Sequence, residues 1–401
     1  MRRGDRLDIS VCLMSQFYYP ITGGIERYAC DLSRSLADLG LDVHVVTLKP
    51  AGMPRYEENE NGVHIHRVAG RLESHFVLAL PLMARTAERL CRRNGIDIIH
   101  GQIPHMPDVL VSRSRAKARF VETIHVPLDV ETEPLRTEDF RDLLFWEKFV
   151  FASFPTSRIF ERRVIDRADG LIGVSNSVKW DAVRSYDVSP DRITVIYEGI
   201  SPDRYFVDDE GSVVRERLEV GDDPLVLFVG RQCARKRIEL LIHALVSLKE
   251  EHGGVKLLIV GRETNYTRRL KNLALELGVA DSIRFAGYVP DEELPRYYAA
   301  CDVFALTSLH EAMGLSVLEA MASGKPTVVP NVGGLPEVIE DGRTGMLFEG
   351  LDGLVDSLST LLSDERLARR MGAAGRRRVL ERFTCQRMAR ETLRLYEKVL
   401  S

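Results

Sequence analysis

The sequence predicts an α/β protein of two doubly wound, Rossmann-like domains, and three observations carry that prediction. Short apolar runs of β type alternate with helix-period stretches nearly from end to end, the pattern of parallel strands covered on both faces by helices. The chain has 401 residues, too many for one ordinary core, since single cores stop growing near ~250 to 300 residues. The runs fall into two sets, separated by a polar stretch rich in Gly, Asp and Pro over residues 198–224, which reads as an interdomain linker. Two lobes imply a cleft.

In chain order, the first set of strands is expected at Leu7–Leu13, Asp42–Thr47, His64–Val68, Ile96–His100, Phe120–Ile124, Gly170–Val174 and Ile193–Ile196. The second set is expected at Leu225–Val229, Lys256–Val260, Ile283–Ala286, Val303–Leu306, Thr327–Pro330 and Gly345–Phe348. The boundary is placed near residue 205, giving domains 1–205 and 206–385. Residues 364–401 are helical and basic with no strand after them, and the last helix, about 386–401, is expected to pack back on the first domain.

Composition narrows the class further. With 45% hydrophobic and 28% charged residues, disorder, collagen-like and coiled-coil architectures are excluded. The formal charge of -4 argues against general nucleic-acid binding, which favours a strongly basic chain. The six cysteines, Cys12, Cys30, Cys91, Cys233, Cys301 and Cys385, are scattered, with no CxxC pair and no histidine at metal-ligand spacing near them. A reducing compartment follows. The start is not of signal-peptide type, and no run approaches ~20 apolar residues, so a cytoplasmic location is expected.

Three segments carry chemistry. Tyr19–Glu26 follows the first strand and opens a helix of about residues 26–39, and its Gly23-Gly24 pair lets backbone approach a ligand where a helix N-terminus presents free N–H groups to phosphate. A tight turn that needs glycine only for positive φ explains the pair equally well. Val229–Lys236 lies at the carboxyl end of the first strand of the second sheet, the edge where open α/β sheets bind ligands. Arg231 and Lys236 there suit a diphosphate whose charge grows as a bond to it breaks, and a merely solvated basic loop is the alternative. Ser308–Pro326 is the most specific segment. A helix is expected from near Gly314 to Gly324, with Glu311 in the loop before it and Glu319 inside it; eight helical residues rise ~12 Å. That separation suits two carboxylates holding opposite ends of a nucleotide sugar, with the N–H groups of Gly314 and Leu315 facing phosphate.

The Gly-Gly-Ile-Glu start, Gly230-Arg231 with Lys236 five further on, and Glu311-x7-Glu319 followed by Ala-Met-Ala-x-Gly-x-Pro together resemble glycosyltransferase family 4, retaining enzymes of the GT-B fold. The resemblance runs over nearly the whole chain and takes in Asp169–Ser175, Gly287-Tyr288-Val289 and Asn331–Glu337 in the same order. It implies two Rossmann-like domains facing across a cleft and transfer of a hexosyl group from a nucleotide-diphosphate sugar, UDP- or GDP-linked, to a lipid, glycan or small-molecule acceptor. It implies further that Arg231 and Lys236 contact the donor diphosphate, Glu311 the sugar hydroxyls and Glu319 the ribose, with Tyr288 and Val289 facing the base. Gly23 and Gly24, and the Met313-Gly314-Leu315 turn, would line the donor, and His125 would be the active-site histidine. The implied mechanism reacts on one face of the sugar, without a carboxylate nucleophile and without a resident cofactor or metal; no Asp-x-Asp occurs in the chain. Departures from the family pattern are Arg237 where Gly is common after the Lys, Ala312-Met313-Gly314 for Gly-Phe-Gly, and Glu198-Gly199 for Asn-Gly.

Residues 71–119 hold nine Lys or Arg against four Asp or Glu. Residues 76–83 are apolar and precede Arg85, Arg89, Arg92 and Arg93, so the region offers either a peripheral membrane surface for a lipid-linked acceptor at the inner face or a helix packing its apolar stripe on the first sheet. The aromatic-rich stretch 139–163 either shapes the acceptor site or fills the core. The rival functions are a nucleotide-sugar epimerase on the same fold and a catalytically silent nucleotide-sugar-binding subunit. A dinucleotide oxidoreductase is disfavoured because the first turn lacks GxGxxG.

Overall fold

A computed structural model describes residues 9–20, 23–59, 61–68, 76–102, 106–111, 117–133, 145–205 and 209–401, without the side chains of 76–80, 106–107, 109, 145–147 and 149–156. The chain divides into two compact units, one of residues 1–131, 153–199 and 385–401 and one of residues 132–152 and 200–384. The division thus falls at Gly199 rather than near 205, because Ile200 bridges to Thr384 and its N–H donates to the Phe383 carbonyl at 3.0 Å.

The first unit is built on an eight-stranded sheet. Its strands are β1 (Ser10–Met14), β2 (Asp42–Leu48), β3 (Tyr56–Glu58), β4 (His64–Val68), β5 (Ile98–Gly101), β6 (Arg119–Ile124), β7 (Gly170–Gly173) and β8 (Ile193–Val195), in the order β3-β4-β2-β1-β5-β6-β7-β8. All neighbours are parallel except β3, which runs antiparallel to β4. β3 was not expected; it is three polar residues long and half exposed, so it carries no apolar run to betray it. Apolar side chains fill both faces of the central strands, with Val11, Leu13, Val43 and Val45 buried on one face and Cys12, Val46 and Ile99 on the other. Each such aliphatic side chain stabilises the core by about 1.5–3 kcal/mol relative to exposure.

The helix Cys385–Leu400 closes this unit. Its Tyr396 is buried, and the phenol lies 2.6 Å from His100 Nδ1, while His100 Nε2 meets Thr123 Oγ1 at 2.7 Å. Burial, and secondarily His125, push the His100 imidazole down to about 3, so it stays neutral inside the sheet. A Cβ on Gly170 would stand 3.0 Å from the Val399 side chain, which is the local reason that β7 begins with glycine beneath this helix.

The helix Phe76–Asn94 buries Met83, Ala84, Ala87 and Leu90 and leaves Arg85, Arg89, Arg92 and Arg93 exposed. In its described part, the amphipathic pattern is therefore used for packing. No helix among the described residues is long and apolar enough to cross a membrane. Most of the aromatic side chains of 139–163 lie outside the described residues.

The second unit holds six parallel strands, β9 (Leu225–Val229), β10 (Lys256–Val260), β11 (Ile283–Gly287), β12 (Val303–Ala305), β13 (Thr327–Pro330) and β14 (Met346–Phe348), in the order β11-β10-β9-β12-β13-β14. Counted from its own first strand this is 3-2-1-4-5-6, the dinucleotide-fold order, and the order reverses between β9 and β12. The stretch expected to be a plain linker is more structured than that: it forms the helix Ser212–Arg217, and it buries Tyr205, Val214 and Val220. The Arg215 guanidinium ties this segment down by donating to the carbonyls of Ala300, Gly221 and Asp223 and to Asp302. Its isolated apolar residues show no period, so the sequence reads as loop.

Candidate active site

In an open parallel sheet the reversal between β9 and β12 is where a ligand crevice forms, outside the carboxyl ends of the strands, and the loops leaving these two strands carry the predicted groups. After β9 the chain runs through Gly230 and an exposed Arg231 into a short turn, Ala234–Lys236, before the helix Ile238–His252. After β12 it runs through Thr307 and Leu309 to Glu311. The two loops are laced together: Leu309 N–H donates to the Arg235 carbonyl at 2.9 Å, and Thr307 Oγ1 donates to the Lys236 carbonyl at 2.8 Å.

Across this lacing the Lys236 ammonium is ion-paired with Glu311 Oε1, both side chains being mostly buried. Burial alone would raise the Glu311 carboxyl, but the charges of Lys236 and Arg235 and the hydrogen bond from Lys236 outweigh it and hold Glu311 below its ordinary range. Behind Arg231, the fully buried Gln232 amide donates to the Gly261 carbonyl at 3.0 Å and accepts from Thr267 at 2.7 Å, which fixes the base of the loop. A Cβ on Gly261 would lie 1.9 Å from the Gly230 carbonyl, so only glycine allows β9 and β10 to approach this closely at their ends.

The helix after Glu311 begins at Leu315 and ends at Ala322, with Gly314 as N-cap at φ 78°. Glycine is required at 314, because a Cβ would also meet Leu335 at 2.8 Å. The N–H groups of Leu315 and Ser316 lie ahead of the first acceptor of this helix and point out at its N-terminus, while Val317 N–H already donates to the Gly314 carbonyl at 2.9 Å. Met313 is buried beneath the turn. The Glu311 backbone is stapled to the Asn331–Glu337 segment: Gly334 N–H donates to the Glu311 carbonyl at 2.8 Å, and Gly333, at φ 54°, passes so close that a Cβ would lie 2.1 Å from that oxygen.

The other predicted groups of this unit are placed differently. Tyr288 is 53% exposed after β11 with the Arg262 guanidinium 5.9 Å from its ring centroid, while the neighbouring Val289 is buried. Glu319 is only 3% exposed and accepts a 2.6 Å hydrogen bond from the buried Tyr298 phenol.

In the first unit, His125 follows β6 at the carboxyl edge. It is 7% exposed, its Nδ1–H donates to Glu198 Oε1 at 3.0 Å, and its ring stands edge-on to Tyr28 at 4.7 Å between centroids. Its Nε2 is buried and has no partner among the described residues. Gly23 and Gly24 sit at the start of the helix Gly24–Asp38, and Gly23 is extended at φ -160°. Neither has a positive φ, so turn geometry is not the reason for them; a Cβ on Gly24 would meet nothing within 4 Å, leaving open space at that N-terminus.

Two family models match the chain, Glycosyltransferase Family 4 over residues 22–204 and Glycosyl transferases group 1 over residues 212–378. The chain is 32% identical over 370 residues to a D-inositol 3-phosphate glycosyltransferase of Corynebacterium efficiens, a match covering 88% of this chain and 85% of that protein. This chain belongs to glycosyltransferase family 4.

Solved structures give the fold of this glycosyltransferase the same reading. Sucrose-phosphate synthase from Thermosynechococcus elongatus superposes with a TM-score of 0.81 at 23% identity, covering 98% of this chain and 99% of that one. Anabaena HepE, solved in complex with UDP and glucose, gives 0.78 at 20% identity, covering 97% and 100%. The fold is GT-B.

Two of the departures from the family pattern have a structural counterpart. Arg237 occupies the position where the family often has glycine, and it is held at φ 45°, a left-handed conformation that costs a side-chain-bearing residue roughly 1–2 kcal/mol. Glu198, noticed in the sequence only as a departure from Asn, is the carboxylate that holds His125. Their separation of 73 positions hid the partnership. The signal that was available was charge: an acid where an amide is common, three residues past the end of β8.

Proposed function

We propose that this glycosyltransferase moves a hexosyl group from a UDP- or GDP-linked sugar to its acceptor with retention at the anomeric carbon and without a catalytic metal. The observation that carries the reading is the Lys236–Glu311 pair at the β9/β12 reversal, beside the open N-terminus at Leu315 and the exposed Arg231. A diphosphate arriving there takes Lys236, Arg231 and the helix N–H groups as its partners. Glu311, released from Lys236, accepts from the hydroxyls of the sugar. Tyr288 offers an exposed ring to the base, and Glu319 takes the ribose by exchanging its bond with Tyr298.

In the transfer the bond from the anomeric carbon to the diphosphate oxygen breaks, the acceptor oxygen bonds to the same face of that carbon, and the acceptor proton passes to the leaving phosphate. Charge developing on the phosphate is met by fixed cations that need no reorganisation. His125 Nε2, aimed by Glu198, is the proposed partner of a hydroxyl on the transferred sugar. Because the chain contains no Asp-x-Asp, cationic side chains rather than a metal are assigned to the diphosphate.

The relatives named for D-inositol 3-phosphate and the HepE structure with UDP make a cyclitol phosphate and a uridine nucleotide the first acceptor and donor to try. The test incubates the protein with UDP-, GDP- and ADP-hexoses, with and without that acceptor and lipid-linked acceptors, and follows free nucleoside diphosphate and the anomeric configuration of the product. Release from one donor, lost in Lys236→Ala and Glu311→Ala, is expected, with a product of unchanged anomeric configuration. A covalent glycosyl-enzyme, or an inverted product, refutes the same-face mechanism; donor binding without release supports a silent subunit instead.

A further inference from the structure

At the far edge of the first sheet three histidines and an aspartate gather with no role in the transfer. Side chains alternate along a strand, so Asp42 and His44 of β2 point to one face, as do His64 and His66 of β4. The parallel register sets His44 directly opposite His64, which puts all four side chains on one patch. One ligand atom each from Asp42, His44 and His64 lie within 4.8 Å of one another.

We propose that Asp42, His44 and His64 bind one divalent transition-metal ion, zinc by the chemistry of the donors. His44 Nε2 lies 3.4 Å from Asp42 Oδ2, and His64 Nε2 lies 3.5 Å from Asp42 Oδ1. Those separations are long for direct hydrogen bonds, which cluster at about 2.7–3.2 Å. Each is close to the ligand-to-ligand edge of roughly 3.3–3.4 Å of a tetrahedral ion with ~2.0–2.1 Å bonds, one to each carboxylate oxygen, so a small rotation of the Asp42 carboxylate brings one oxygen to both imidazoles.

Each ligand is also held from behind. His44 Nδ1 meets His66 Nε2 at 3.0 Å, the Tyr56 hydroxyl meets His64 Nδ1 at 2.9 Å, and Ser10 Oγ donates to Asp42 Oδ2 at 3.0 Å. Such outer partners fix which ring nitrogen is free and aim it, and they are the usual companions of metal-binding histidines. Here they leave both Nε2 atoms facing the carboxylate. Glu58 also reaches His64 Nδ1, at 3.7 Å, which adds a second negative charge to the neighbourhood.

The donor set selects the ion. Two imidazoles and one carboxylate suit zinc, cobalt or nickel, whereas magnesium and calcium prefer all-oxygen shells. Three protein ligands leave a fourth position for water. The site lies at the amino-terminal ends of β2 and β4. The carboxyl end of β2, at Leu48, is six residues further on, about 20 Å along the strand, so the ion is assigned a clamping role on the sheet edge and none in the transfer. The inference stands independently of the donor and mechanism.

The test uses the untagged full-length protein, stripped with chelator and titrated with Zn²⁺ by calorimetry and with Co²⁺ by visible absorption. One saturable equivalent of each is expected, with tetrahedral Co²⁺ bands, a rise in Tm on Zn²⁺ addition and no response to Mg²⁺. Asp42→Asn and His64→Gln, which keep side-chain size, should each weaken Zn²⁺ binding at least tenfold, and His66→Gln, which acts through His44, roughly 10- to 100-fold. Far-UV circular dichroism and the Tm of the metal-free variants check that they fold, and either folded variant suffices. Absence of a saturable equivalent, or unchanged affinity in a folded Asp42→Asn or His64→Gln protein, overturns the proposal.

Discussion

The carboxyl edges of the two sheets use a similar device for opposite ends. In the second unit Lys236 faces Glu311; in the first, His125 faces Glu198. The partners are almost equally far apart in sequence, 75 and 73 residues. The Lys236–Glu311 pair sits on loops beside an exposed Arg231 and an open helix N-terminus, so each member can trade its partner for a ligand. The His125–Glu198 pair is nearly sealed, at 7% and 6% exposure, and Tyr28 stands edge-on to the imidazole. On the proposed function, Glu198 stays on Nδ1 and works through the imidazole, whereas Glu311 moves onto substrate. A displaceable pair suits binding, and a sealed one suits aim.

The sharpest way to break this comparison is Lys236→Ala. Removing a fixed donor to the developing phosphate charge should lower kcat/KM by about 10²–10³-fold, measured by initial rates of nucleoside diphosphate release. A large loss of stability with unchanged kcat would make the pair a structural strut. For the sealed pair the expectation reverses. Glu198→Ala leaves His125 Nδ1 buried without an acceptor and should destabilise the first unit by about 1–3 kcal/mol in denaturant unfolding. Glu198→Gln keeps an acceptor oxygen and should recover most of that stability. Because it removes the charge behind the imidazole, it should also shift the pH profile of kcat while KM for the donor stays put. A merely structural Glu198 would leave that profile unchanged.

Acid titration separates the pairs further. The Glu311 carboxyl is depressed below its ordinary 4.5, so its contribution is fully present above that value and is lost as pH falls through the depressed one. The stability difference between wild type and Glu311→Gln, ~1 kcal/mol for a partly screened pair, should persist at pH 5 and shrink toward pH 3. Smallest of all, Arg237→Gly relieves the positive φ and should raise stability by up to about 1 kcal/mol, less what the freer glycine chain loses in entropy. A fall in Tm would mean that the Arg237 side chain makes a compensating contact.

Much of the second unit's edge was legible because its groups sit inside short motifs whose punctuation is physical. Gly314 and Gly324 bracket the Leu315–Ala322 helix, and Lys236 and Glu311 each lie just past a strand whose apolar run is plain. Glu319 shows the limit of that legibility. Its place among Leu318, Ala320 and Met321 marked it as facing inward, but nothing in the sequence said that the phenol of Tyr298 would hold it. The Asp42–His44–His64 cluster was missed for a related reason. A search for ligands around the cysteines passes over Asp-x-His and His-x-His, two ordinary strand fragments.

By itself the sequence determined the α/β class, the two sets of strands and the positions of the loops that leave β9 and β12, because apolar period and glycine placement are local properties of the chain. Tertiary structure alone decided which strands lie side by side. The register that sets His44 against His64, the reversal that brings Lys236 to Glu311 and the approach of Glu198 to His125 all follow from strand order. That order is chosen by how whole helices and strands bury their faces together, and no window of neighbouring residues contains it.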